Sequence, residues 1–146
     1  MLFNLCSTIA PNCCLMILRE CLLKLWNGGL ILNKIILHVE GFAVLALSIY
    51  FYGYSQFSWV LFFILLFSPD ISMLGYLFNN NIGAMLYNVF HTYIISIGVV
   101  ICGLILSNET ILAIGLIWSA HIGMDRMIGY GLKYPTEFKD THLNRV

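Results

Sequence analysis

The sequence predicts an all-α integral membrane protein, a four-helix bundle preceded by an N-terminal extension. Three observations predict it. Hydrophobic residues make up 60% of the 146-residue chain and charged residues 10%, against about 45–50% and about 25% in soluble domains. No charged residue occurs between Asp70 and Glu109, a stretch far longer than the ~18 apolar residues that mark a membrane helix. No segment shows the apolar–polar alternation of a membrane β-barrel. Seven Lys+Arg balance seven Asp+Glu, so there is no basic stripe for nucleic acid.

Residues 1–34 read as the extension. Pro11 and Asn27-Gly28-Gly29 break it up. Between them Glu20, Lys24 and Asn27 share one helical face, which suits a short helix lying on the membrane surface. An upstream start that adds residues of no consequence explains the segment equally well. The N-terminus lacks the basic region and cleavage site of a signal peptide. Cys6, Cys13, Cys14, Cys21 and Cys102 match no CxxC spacing and read as free thiols.

Four spans follow, at about 35–54, 59–78, 82–106 and 111–132. Pro69 lies mid-way along the second and removes a backbone hydrogen bond there. Residues 133–146 form a polar tail, with Pro135 closing the last helix. Lys and Arg residues flank the first span and follow the last, whereas the 53–58 turn and Ser107–Thr110 carry none. The positive-inside rule therefore puts both termini in the cytoplasm. Tyr50, Tyr52, Tyr54 and Trp59 read as an aromatic belt at the outer interface. Gly115, Ser119 and Gly123 form a small-residue ridge, suited to a neighbouring helix or, less readily, a second subunit.

Placed by depth at ~1.5 Å per residue, the polar residues inside the spans converge. Asp70, His91 and His121 lie roughly 13–16 Å in from the cytoplasmic ends, and Glu40, Asn88 and Asp125 roughly 8–10 Å in. His121 and Asp125 share one helical face, as do Asn88 and His91. With neutral histidines, Glu40, Asp70, Asp125 and Arg126 sum to a charge of −2, which a low-dielectric layer does not keep uncompensated. Three remedies are open. A divalent ion (Zn, Mn or Fe) held by Asp70, His91, His121 and Asp125 is one, with Glu40 or Asn88 supporting the ligands. A hydrogen-bonded polar core that only fixes helix packing, with Arg126 paired to a carboxylate, is another. A proton or ion pathway is the third. The metal reading implies hydrolysis of an amphiphilic substrate, with Arg126 and Lys133 orienting an anionic group. The others imply a small conduit or a structural subunit.

The strings Pro69-Asp70-Ile71-Ser72-Met73-Leu74-Gly75-Tyr76, Tyr87-Asn88-Val89-Phe90-His91-Thr92-Tyr93, His121-Ile122-Gly123-Met124-Asp125-Arg126 and Gly129-Tyr130-Gly131-Leu132-Lys133-Tyr134-Pro135 resemble a family of small bacterial membrane proteins. That family is domain of unknown function 4260, and the likeness runs from about residue 35 to the end. Asn144 stands where the family has glycine. The resemblance implies a bacterial inner-membrane protein whose motif residues coincide with the polar layer, and it names no reaction.

Overall fold

The computed structural model describes residues 11–136 and 140–145, with side chains given at 19, 28 and 29 and from 31 onward, Asn144 excepted. The chain divides between Ile35 and Ile36 into two compact units, each taken by itself. Expectations for residues 1–10, Cys6 among them, lie outside the described residues, as do those for the side chains of Cys13, Cys14, Glu20, Cys21, Lys24 and Asn27.

Helix α1 runs Pro11–Tyr54. Proline at its first turn costs nothing, because that N–H has no partner in any helix. The break expected at Asn27-Gly28-Gly29 does not occur, since the segment is helical throughout. Glycine costs a helix only about 1 kcal/mol relative to alanine, which surrounding apolar turns offset.

Four segments are long and apolar enough to cross a membrane: Ile31–Tyr54, Trp59–Leu77, Asn80–Ile105 and Glu109–Ile128. No β-strand occurs among the described residues. The first and last spans are continuous, but the middle two are interrupted. The second begins as α2, Trp59–Leu65, then tightens into a 3₁₀ segment, Ser68–Leu77, with Pro69 in its first turn. Proline thus rewinds the chain rather than only kinking it. The third is split into α3, Asn80–Phe90, and α4, Tyr93–Ile105. Asn79 and Asn108 cap α3 and the helix of the last span, α5 (Glu109–Ile128), by accepting the N–H groups of Ile82 and Ile111.

Helix α5, Glu109–Ile128, is central: half of its apolar window is buried, against 17–22% in the other three spans. Its small residues explain how. A Cβ on Gly123 would meet the α1 backbone at Leu45 N (2.7 Å) and Gly41 O (2.9 Å), and one on Gly115 would meet Val100 N of α4 at 2.7 Å. The Gly115–Ser119–Gly123 ridge is therefore filled from within the chain. Along α1, His38, Gly41 and Leu45 meet α5, and the same helical stripe continues in the buried Ser48 and Tyr52. Tyr52 is fully buried and its hydroxyl donates to Ser58 O at 2.7 Å. It belongs to the core with Phe62, Leu66 and Ile117 rather than to the aromatic belt, where Tyr50 and Tyr54 remain exposed.

Helix α5 stops at Ile128, four residues before the expected end. Gly129 takes φ +97°, a conformation open to glycine at little cost. Gly129 N donates to Arg126 O (3.2 Å) and Tyr130 N to Asp125 O (2.7 Å), the paired bonds of a Schellman motif. The tail then folds back on itself. Lys133 and Thr141 form an antiparallel bridge, and Leu143 is fully buried.

Candidate metal centre

Asp70 comes from the first turn of the 3₁₀ segment, His91 from the break between α3 and α4, and His121 and Asp125 from successive turns of α5. One ligand atom from each lies within 4.8 Å of the others. The His121 side chain is fully buried, that of His91 is 3% exposed, Asp125 12% and Asp70 36%. The cluster therefore opens on the Asp70 side.

The break at His91 aims its ring. The Tyr87 carbonyl accepts both His91 N (2.8 Å) and His91 Nδ1 (2.9 Å). A carbonyl only accepts, so Nδ1 carries the proton and the neutral ring turns the Nε2 lone pair inward. The Tyr87 ring stacks on His91 with centroids 3.7 Å apart. Its hydroxyl donates to Asp125 Oδ2 at 3.1 Å. One residue thus orients two members of the cluster. Of the carbonyls left open by the break, Phe90 O is taken up by Trp118 Nε1 at 2.6 Å, as an interrupted membrane helix requires.

Five separations define the centre. The two Nε2 atoms are 3.1 Å apart. Asp70 Oδ1 lies 3.4 Å from His91 Nε2 and 3.6 Å from His121 Nε2. Asp125 Oδ2 lies 3.6 and 3.8 Å from the same two atoms. The four carboxylate–imidazole separations exceed the roughly 2.7–3.2 Å of an N–H···O hydrogen bond. Three of them fall at the ligand–ligand edge of a tetrahedral ion, about 3.3–3.6 Å for bonds of about 2.0–2.2 Å, and the fourth, 3.8 Å, is slightly longer. Two carboxylates and two neutral imidazoles carry −2, the charge a divalent ion cancels. The group can hold a metal.

The other residues singled out from sequence do not join it. Glu40 is exposed. Its neighbour Gly41 is the residue against α5, where a Cβ would stand 2.5 Å from Arg126 Cβ, so Glu40 is turned about 100° away. Asn88 is spent on the tail: its Nδ2 donates to Lys133 O (2.8 Å) and its Oδ1 accepts from Lys133 N (2.7 Å). Arg126 pairs with no carboxylate among the described residues. Its Nη1 lies 3.2 and 3.1 Å from the two ring nitrogens of His142. Lys133 is buried, with Nζ 4.3 Å from the Tyr87 ring centroid. Burial pushes its ammonium below the usual lysine range, while Asp70 and Asp125 oppose that shift. It stands beside the centre, not in it.

Two partners were not singled out from sequence. Tyr87 lies one turn before His91, a spacing that could have flagged it. His38, whose Nδ1 lies 2.7 Å from Met127 O, occupies the α1 stripe that faces α5.

His142 latches the tail. Its Nδ1 accepts Leu132 N–H at 2.9 Å, and its own N–H donates to Leu132 O at 3.0 Å. Burial, then the Arg126 charge, hold its imidazole below the ordinary value of 6.5. An undocked tail consequently binds more protons than a docked one below that value. Docking should be at full strength above it and weaken as pH falls through it. Hydrogen exchange at Leu132 and His142, corrected for intrinsic rates, should accelerate between about pH 7 and pH 5.5; an unchanged protection factor would refute the latch.

A family model described as domain of unknown function (DUF4260) matches residues 34–146. The chain belongs to this family. No curated protein and no solved structure matches it. Every member of the cluster falls inside the stretch that defines DUF4260.

Proposed function

We propose that this DUF4260 protein is a multi-pass membrane protein that binds one divalent transition-metal ion through Asp70, His91, His121 and Asp125, and uses it to hydrolyse an amphiphilic substrate. The observation that carries the reading is the set of four carboxylate–imidazole edges between 3.4 and 3.8 Å, longer than the usual hydrogen bond and near the spacing of ligands sharing an ion. Tetrahedral nitrogen and oxygen ligands favour zinc, with manganese and iron as competitors. Hydrolysis is supported by the unequal burial of the ligands. A structural metal is closed off, whereas a catalytic one keeps an exchangeable position. Asp70, the most exposed ligand, is where water and substrate gain access, by displacing its carboxylate or by joining the ion as a fifth ligand, since four protein ligands fill a tetrahedral shell. Both termini face the cytoplasm of a bacterial inner membrane in this reading, following the lysine and arginine distribution.

A conduit for the same ion is the second reading. It is favoured by interrupted middle spans, since discontinuous helices build ion sites in transporters. Elemental analysis of protein purified without added chelator should find about one divalent ion per chain. Protein free of stoichiometric metal would sink both readings. Chelator-sensitive hydrolysis of fluorogenic esters or phosphoesters, without metal flux into sealed vesicles, selects the enzyme; flux without hydrolysis selects the conduit.

A further inference from the structure

Lys133 belongs to the returning tail, yet its side chain reaches the residue that aims two of the ligands. Its Nζ stands 4.3 Å from the centroid of the Tyr87 ring and 5.2 Å from that of Tyr76. Tyr87 in turn stacks on His91 and donates to Asp125 Oδ2 at 3.1 Å. These contacts form a continuous chain, so Nζ stands within roughly 10 Å of that carboxylate, about one Debye length at 0.1 M salt, and buried charges are screened less than exposed ones. Lys133 is only 6% exposed. Asp70 and Asp125 both act on its ammonium through space.

The main chain, not the ammonium, fixes Lys133 in place. Its N–H donates to Asn88 Oδ1 at 2.7 Å and its carbonyl accepts Asn88 Nδ2 at 2.8 Å. It bridges to Thr141, and the preceding residue, Leu132, is latched by His142. Docking of the tail therefore delivers the charge, and undocking withdraws it. A buried ammonium requires an opposite charge nearby, and Asp70 and Asp125 supply it. Arg126, the other cation adjoining the cluster, has its Nη1 against the His142 ring. A divalent ion would meet the same two carboxylates, and cations brought to one pair of carboxylates repel each other.

We propose that Lys133, carried by the docked tail, is the counter-charge of the Asp70–Asp125 pair when no ion is bound, so that tail docking and metal binding oppose each other. The counter-charge does not need the ion. The opposition rests on the metal reading above. Coupling of this kind is reciprocal: whatever withdraws Lys133 tightens the ion, and the ion loosens the tail.

The full-length protein in nanodiscs tests it in two arms. The first measures zinc affinity by competition with a chromogenic chelator. Lys133→Met, which keeps the length of the side chain and the main-chain bonds to Asn88, should bind zinc about tenfold more tightly than wild type. Lys133→Arg keeps the charge and should stay near wild type. Asn88→Ala, which releases the tail, should shift affinity in the same direction as Lys133→Met. A lysine that only packed the tail would give unchanged or weaker zinc binding in both. The second arm measures thermal unfolding with excess chelator. Lys133→Met should unfold below wild type and Lys133→Arg, because removing one partner of a buried charge pair strands the other. Zinc affinity unchanged or weakened by Lys133→Met, or raised as much by Lys133→Arg, overturns the opposition. Unaltered unfolding of Lys133→Met in chelator overturns the counter-charge and the proposal with it. If wild type binds no zinc, the metal reading fails by itself, and the chelated arm still decides the counter-charge.

Discussion

Replacing His121 by alanine should empty the metal centre, taking the measured ion from about one per chain to near zero. His121 is fully buried, and its Nε2 takes part in three of the five edges. Alanine leaves three donors around a hole that no protein atom fills. The effect should be graded by burial. Asp70→Asn, at the exposed side, should weaken binding less than His91→Ala or Asp125→Asn. Tyr87→Phe keeps the stack on His91 and deletes only the hydroxyl that holds Asp125 Oδ2. Loss of such a supporting hydrogen bond typically costs about 10–100-fold in metal affinity. Competition with a chromogenic chelator measures all five. Equal, stoichiometric metal in wild type and His121→Ala would mean that the ion sits elsewhere.

The second large effect is on assembly of the bundle. Gly123→Leu should prevent α1 and α5 from meeting, because the added Cβ alone collides with backbone at Leu45 and Gly41. Backbone cannot rotate aside as a side chain can. Overpacking of this kind costs about 1–3 kcal/mol and more when two helices must part. Thermal unfolding in detergent should drop well below wild type. Gly98→Ala is the control. Nothing lies within 4 Å of a Cβ there, so its transition should be unchanged or slightly raised, by about 1 kcal/mol of helix propensity at most. A Gly123→Leu protein as stable as wild type would contradict the close α1–α5 crossing.

These two results draw on different levels of information. That the chain crosses a membrane several times is written in its composition and in the uncharged run between Asp70 and Glu109. Depth along a span is also one-dimensional, so the shared level of Asp70, His91, His121 and Asp125 was legible by counting residues. The i, i+4 pair on α5 needed only a continuous helix, and α5 is continuous. The middle spans were read the same way and are not: Pro69 opens a 3₁₀ run, and the chain breaks at His91.

Side-chain direction was decided by contacts between segments far apart in the chain. Gly41 against Arg126 turns Glu40 outward. Lys133, from the returning tail, claims both ends of the Asn88 amide. His142, 16 residues beyond Arg126, draws the guanidinium away from Asp125. Hydropathy and spacing carry no term for such encounters. The sequence by itself therefore determined the solvent, the helices and a buried layer with −2 to balance. Only the tertiary structure decided that Asp70, His91, His121 and Asp125 meet while Glu40, Asn88 and Arg126 turn elsewhere, because helix breaks and a folded tail set the rotation of the residues around the centre.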